Sequence, residues 1–353
     1  MRPFDDDLLP GRVIFGVGSR TRLAEEVDRL GLSRVLLVVG PSNAALAEEV
    51  EALLGERSVG RFTDLAQHVP EAKADAARAR ARELGADVTL SIGGGTAIGF
   101  AKAIALVVPI PQIALPTTYA GSEMTPIWGL SDGTRKWTGH DPAVQPRVVV
   151  YDPELTLPLP PAIAGASGMN ALAHAVEALY APGVTPISAL VALEAVRLLE
   201  RSLPALCSRP DDLDARIEAL YGAHLAACAL AVAGTALHHK TCHVLGGMFG
   251  LDHAGMNAVL LPHALRYNEP AIPDELALLA DALGDRDPVL AVYDLARTIG
   301  APHSLAELGM PRSGVETAVP PVVESTAANI RPPEPALVER MLRDAYDGRR
   351  PDR

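Results

Sequence analysis

The chain has 353 residues, is 48% hydrophobic but only 4% aromatic, and carries a net charge of −12 with a pI near 5.3. That length supports two domains with cores of their own, built mostly from Ala, Leu and Val. The acidic balance excludes nucleic acid as a partner, because phosphate binding needs a basic patch, and no apolar run approaches the roughly 20 residues that span a membrane. The start, Met1-Arg-Pro-Phe-Asp-Asp-Asp, lacks the basic and apolar regions of a signal peptide. Cys207, Cys228 and Cys242 are odd in number and scattered. Both features point to a reduced, cytoplasmic setting without disulfides.

Residues 12–18 read as a strand ending in a glycine turn, followed by a helix to about Leu30. Residues 34–39, Arg-Val-Leu-Leu-Val-Val, suit a parallel strand buried on both faces. Gly40-Pro41-Ser42 turns the chain into a helix from about Asn43 to Leu54, and 58–62 is a weaker strand. An Ala/Arg helix covers about Glu71 to Leu84 and stops at Gly85. Residues 87–92 form a strand, Gly93-Gly94-Gly95-Thr96 a turn, and a helix carrying Lys102 follows. A strand at 112–115 ends in Pro116-Thr117-Thr118, and short strands near Ile127–Leu130 and Val148–Tyr151 flank a polar turn that includes Lys136.

This βαβ alternation predicts an open, mostly parallel, doubly wound sheet. Beyond Pro153 only helical periodicity recurs, over about 161–181, 186–202, 212–232, 234–246, 254–266, 274–284, 288–299 and 334–347. The expected organisation is an α/β Rossmann-like domain over residues 1–155 and an all-α domain over 156–353.

A strand, Gly93-Gly94-Gly95-Thr96 and a helix together make a phosphate cradle, since glycines expose backbone N–H groups and the helix start is partly positive. Thr117 and Thr118 add hydroxyls at the same edge of the sheet, where open α/β sheets bind dinucleotides. The position that carries a ribose-binding acid in many such sites is the neutral Gly40, with Ser42 nearby. Both NADH and NADPH are therefore compatible with the sequence.

The chemistry concentrates between Leu237 and His253, where four of the chain's ten histidines and one of its four lysines lie. His239 and His243 are four residues apart and share a helical face, Gly246 and Gly247 can end that helix or let another segment approach closely, and His253 returns from another direction. On a second helix, G-M-N-A-L-A-H-A-V-E-A-L-Y (168–180), Asn170 and His174 also share a face, with Glu177 on the neighbouring side. Convergent imidazoles suit metal binding or proton transfer. Asn170 stands where a carboxylate would favour a divalent metal.

These motifs are similar to those of the iron-containing alcohol dehydrogenase superfamily. The resemblance covers nearly the whole chain: Gly93 to Thr96 with Lys102, Pro116 to Thr118, the His174 helix, and His239, His243 and His253 with Leu261-Pro262-His263. Within it, T-T-Y-A-G-S-E-M-T-P-I-W-G-L (117–130), the 168–180 run and H-H-K-T-C-H-V-L-G-G (238–247) resemble the maleylacetate reductase subgroup. Asn170 and Gly99, where metal-dependent members carry Asp, fit that subgroup.

The resemblance implies reduction by NADH or NADPH of the enone C=C of maleylacetate, giving 3-oxoadipate during aromatic-compound degradation. It implies a homodimer, a dicarboxylate substrate and no metal. The candidate catalytic residues are Asn170, His174, His239, Lys240, His243 and His253, and the placement of His243 four residues after His239 makes it the expected proton donor. The implied cofactor residues are Gly40, Ser42, Gly93, Gly94, Gly95, Thr96, Thr117, Thr118, Ser122 and Lys136. The alternative is an iron- or zinc-dependent alcohol or polyol dehydrogenase that tolerates Asn170.

Overall fold

The computed structural model describes residues 11–132 and 136–352, with Lys136 described by its backbone only. The chain divides into two compact units between Leu159 and Pro160.

The first unit holds β1 (Arg12–Phe15), α1 (Leu23–Arg29), β2 (Val35–Val39), α2 (Ala44–Leu54), β3 (Ser58–Phe62) and α3 (Glu71–Glu83). It continues with β4 (Val88–Gly93), α4 (Gly95–Ala105), β5 (Gln112–Pro116), β6 (Ile127–Ser131), β7 (Lys136–His140) and β8 (Val148–Tyr151). Six strands pair in parallel in the order β1-β8-β5-β4-β2-β3. The unbroken apolar run of β2 is explained by its two covers. Val35, Leu37 and Val39 pack with α1 and α2, while Leu36 and Val38 pack with α3 and α4.

After β2 the chain steps outward to β3, and after β4 it steps the other way to β5. Helices α2 and α4 thus leave adjacent strand ends on opposite faces. The crevice this opens is where open α/β sheets bind ligands.

One feature of this unit differs from the sequence reading. The polar stretch around Lys136 is not only a turn: β7 pairs antiparallel with β6, from Ile127 opposite His140 to Ser131 opposite Lys136. Gly139 is needed there, because a Cβ at that position would lie 2.4 Å from the Trp128 ring. With Gly139 and polar neighbours, the segment carries little strand propensity of its own. Lys102, on α4 as expected, is fully buried. Its Nζ donates to the carbonyls of Ser122, Thr125 and Ile127, each at 2.7 Å. One side chain therefore ties the segment after β5 to α4. Burial pushes the Lys102 amine down to about 7, yet three carbonyl acceptors require three N–H bonds, which only the ammonium supplies.

The second unit is helical throughout its described residues. It contains α5 (Pro161–Ala178), α6 (Pro186–Ser208), α7 (Leu213–Ala233), α8 (Leu237–Phe249), α9 (His253–Asn268), α10 (Pro273–Ala282), α11 (Pro288–Thr298), α12 (Gly314–Ser325) and α13 (Pro335–Asp347). Small residues set the spacing of the first three. A Cβ on Gly168 would lie 2.1 Å from Leu203, and one on Gly222 would lie 3.0 Å from Leu199. Close approach through glycine and alanine explains how a chain this poor in aromatics fills its core.

Two expectations change here, and one left open is settled. Helix α12 is absent from the sequence reading because Pro320 and Pro321 read as breakers; its apolar face, Val315, Ala318, Val319 and Val322, packs into a cluster with α8, α9 and α13. Of the two roles open to Gly246 and Gly247, ending α8 is not taken, since the helix runs on to Phe249 and stops at left-handed Gly250. Gly246 takes the other role and admits Met256 of α9, whose Cε would be 3.1 Å from a Cβ there. Helix α7, at 21 residues, is long and apolar enough to cross a membrane by length and composition, against the expectation from the sequence. Its buried residues include Arg216, Ala219, Ala223 and Ala226, and it packs on α5 and α6.

The Lys102 clamp predicts that Lys102→Met leaves three buried carbonyls without their donor. The expected loss is about 3 kcal/mol of unfolding free energy, read from urea denaturation. An unchanged midpoint and slope would mean the clamp contributes nothing.

Candidate active site

Helix α5 is Ala-rich and apolar except for Ser167, Asn170, His174 and Glu177, and the last three carry the site. These lie at spacings of four and three residues, so they share one face. All three are buried, at 7%, 6% and 0% exposure. A carboxylate at that depth must be satisfied by donors. The donors come from the start of α8.

Helix α7 ends at Gly234, whose φ of +78° lets the chain reverse, and α8 begins at Leu237 without a side-chain cap of its own. Glu177 supplies the cap from α5. Its Oε1 accepts from the His238 amide at 2.7 Å, and its Oε2 accepts from the His239 amide at 3.3 Å and from His239 Nδ1 at 2.6 Å. Capping a helix start with a carboxylate satisfies orphan N–H groups and opposes the helix dipole. Burial pushes the Glu177 carboxyl up. Each of these contacts is with an N–H group, so the ionised form is the one they fit.

The hydrogen bonds fix the ring protons. His239 Nδ1 carries its proton, because it faces a carboxylate. His238 Nε2 donates to the Asn257 carbonyl at 3.1 Å, so its Nδ1, 3.3 Å from His239 Nδ1, is an acceptor. His239 Nε2 is then a bare lone pair. It is buried, with no hydrogen-bond partner among the described residues, as is His174 Nδ1. The His174 and His239 rings stack at 4.6 Å between centroids. Burial, reinforced by neighbouring imidazoles, holds both well below the usual histidine range and pushes His238 down to about 3. These three are neutral bases at physiological pH.

His243 and His253 form a second pair, stacked at 5.9 Å between ring centroids. His253 opens α9, whose start is capped by Asp252 through Gly255 N at 2.7 Å. His243 is exposed and His253 half-buried, so this pair meets water and the first does not. Lys240 is half-buried, and no carboxylate pairs with it among the described residues. The structure therefore draws His174 and His239 into one stack and His243 and His253 into another. His238 belongs with the first, its ring edge-on to that of His239 at 4.7 Å between centroids. Glu177 was placed only beside the cluster; the signal available was a lone acid in an otherwise apolar helix, three residues after His174. Asn257 and Cys242, which pack against His238, carried no such signal.

Glu177, His238 and His239 offer ligand atoms within 4.8 Å of one another. Glu177 is already saturated with N–H donors, so it serves these histidines rather than an ion. His174 Nδ1 and His239 Nε2, both buried without a hydrogen-bond partner among the described residues, and the amide of Asn170 are donors of the kind that hold a divalent metal, and His253 is near enough to act on both rings electrostatically. The expectation of a metal-free site thus finds no support in the geometry.

In the α/β unit, the expected cofactor residues gather at the strand ends of the crevice. Gly93, at φ +142°, ends β4, and a Cβ on it would lie 3.4 Å from Asn43, just past Gly40 and Ser42. A Cβ on Gly94 would lie 2.8 Å from Thr118 Oγ1, and Thr117 N donates to Gly93 O at 3.2 Å. Gly95 and Thr96 open α4, which has no side-chain cap. Its first N–H groups are therefore available to an anion. Ser122 differs from the rest: its carbonyl is held by Lys102. The Lys136 side chain lies outside the described residues.

The protein-family models that match are "Iron-containing alcohol dehydrogenase" over residues 10–153 and "Fe-containing alcohol dehydrogenase family, C-terminal" over 164–346. A maleylacetate reductase of Sphingobium indicum is 48% identical over 97% of both chains, and one of Delftia acidovorans is 47% identical over 99% of both. The crystal structure of maleylacetate reductase from Agrobacterium tumefaciens superposes with a TM-score of 0.93 at 43% identity, covering 99% of this chain and 100% of that one.

The depressed histidines set a pH dependence. An unfolded histidine titrates near 6.5, whereas folded His238 and His263 titrate at about 3 and about 4. Below pH 6.5 the unfolded chain gains protons that the folded chain refuses. Their contribution is intact above that pH and is lost as pH falls toward 4. Each removes roughly 2 kcal/mol between pH 7 and pH 5. Urea midpoints at those two pH values check this, and equal midpoints would contradict it.

Proposed function

Since the chain belongs to the iron-containing alcohol dehydrogenase family, and within it to the maleylacetate reductases, we propose that it reduces maleylacetate to 3-oxoadipate with NADH or NADPH. The observation that carries this reading is the division of the site into a dry pair of neutral imidazoles and a water-facing pair beside an unpaired lysine. In the reaction a hydride leaves the reduced nicotinamide for the alkene carbon β to the ketone. The π electrons shift toward the ketone oxygen, and a proton then arrives at the α carbon. The nicotinamide is oxidised and the C=C bond reduced.

Each requirement has a residue suited to it. The amides at Gly94 to Thr96 and the hydroxyls of Thr117 and Thr118 suit a dinucleotide phosphate. Lys240 suits one carboxylate of a dianion. The water-facing His243, stacked on His253, suits proton delivery, since it can be recharged from solvent. The dry imidazoles favour charge developing on oxygen only through a cation or a donor placed against their lone pairs. A divalent ion held by His174, His239 and His253, with Asn170 alongside, would polarise the ketone oxygen when bound.

Oxidation of NADH and NADPH on adding fresh maleylacetate tests this reading. We expect turnover that depends on maleylacetate, and a fall in kcat of about a hundredfold in His243→Ala. Absence of turnover with both cofactors, before and after supplying Fe²⁺ or Zn²⁺, would overturn the assignment. A full kcat in His243→Ala would remove the proton-donor role alone.

A further inference from the structure

We propose that Glu177 is a positioning residue that sets the working tautomer of His239, and does so with the same carboxylate that caps α8. The inference rests on the reading of His239 as a working residue of the reductase; the role of Glu177 itself follows from contacts alone. Neutral imidazole exists in two tautomers, and in water the two interconvert freely. In this fold only one is allowed. Protonation at Nε2 would leave a bare Nδ1 lone pair facing the Glu177 carboxylate at 2.6 Å and His238 Nδ1 at 3.3 Å, with no proton between them. Protonation at Nδ1 satisfies that contact and leaves Nε2 as a lone pair in a dry pocket.

The two functions of Glu177 are coupled by geometry. Because both oxygens are held by the amides of His238 and His239, the carboxylate cannot rotate away from the imidazole without uncapping the helix. The carboxylate also places negative charge behind the ring, which raises the basicity of Nε2. His238 completes the lock from the other side. Its Nε2 proton is committed to the Asn257 carbonyl, so its Nδ1 can only accept. The side-chain amide of Asn257 in turn donates to the His253 carbonyl at 2.8 Å. The chain of contacts from Glu177 through His239 and His238 to Asn257 therefore ends at the backbone of another working histidine.

Ring ¹⁵N NMR of the full-length protein labelled at histidine tests this without substrate. The His239 signals are identified by their loss in His239→Gln. We expect a protonated Nδ1 and an unprotonated Nε2 in the wild type. A proton on Nε2 would overturn the proposal, and this outcome does not depend on any Glu177 variant folding. Failure to reduce maleylacetate would leave the tautomer result standing, so the two readings fail separately.

Glu177→Gln provides the second arm. A carboxamide cannot accept from both amides and from His239 Nδ1. We expect the fixed tautomer to be lost and kcat to fall by about ten- to a hundredfold, with the KM for NADH nearly unchanged. In the His239→Gln background the same substitution should have little further effect on kcat. Equal effects in both backgrounds would show that Glu177 acts as a helix cap only.

Discussion

Glu177 meets the start of α8 with both carboxylate oxygens, and the geometry of the site follows from that contact. A buried carboxylate without donors is costly enough to unfold a domain of marginal stability. Here the donors are two amides that a helix start leaves orphaned and one imidazole N–H. Two unfavourable features, an uncapped helix and a buried acid, cancel each other. The result is that α5 and α8 are held in one register, with His174 stacked on His239. Hydrophobic packing alone would tolerate a small slide of the Ala-rich α5 against α8. The carboxylate does not.

The second constraint is the dryness of that stack. Burial keeps His174, His238 and His239 neutral, so they are bases and acceptors rather than acids. In the proposed reaction proton delivery falls to groups that reach water, for which His243 and His253 are the candidates. The neutral Asn170 in place of a carboxylate leaves the donor set without a charge to offset a divalent ion. That weakens but does not abolish such a site, because three imidazoles remain. The α/β unit shows the same economy. Lys102 holds three carbonyls of the segment after β5, and the glycine turn at Gly93 and Gly94 leaves the start of α4 uncapped for an anion.

Much of this was legible in the sequence, for physical reasons. The parallel sheet announced itself because strands buried on both faces are apolar at every position, as in Val35 to Val39. Most helices were visible through their periodicity and their proline and glycine ends. What was not legible depended on contacts between elements distant in the chain. β7 lacks strand propensity and exists because β6 pairs with it. α12 contains two prolines and exists because its valine face packs onto α8, α9 and α13. The pair Gly246-Gly247 reads equally as a helix end or as room for a neighbour, and only the packing of Met256 against Gly246 decides between them. The histidines of the site could be read from their spacing. Their protonation could not, since it is set by Glu177 and Asn257, 62 residues before and 18 residues after His239.

In the proposed reaction hydride reaches the carbon β to the ketone, rather than the ketone carbon itself. The most direct test uses NADH carrying deuterium at both positions of the reduced nicotinamide carbon, with maleylacetate as substrate and NMR of the product. The expected product is 3-oxoadipate with deuterium on the former alkene carbon β to the ketone and an intact C=O group. Deuterium on a newly formed carbinol carbon, with the C=C bond retained, would contradict it and would mean that the chain acts as a carbonyl reductase in the manner of its alcohol dehydrogenase relatives.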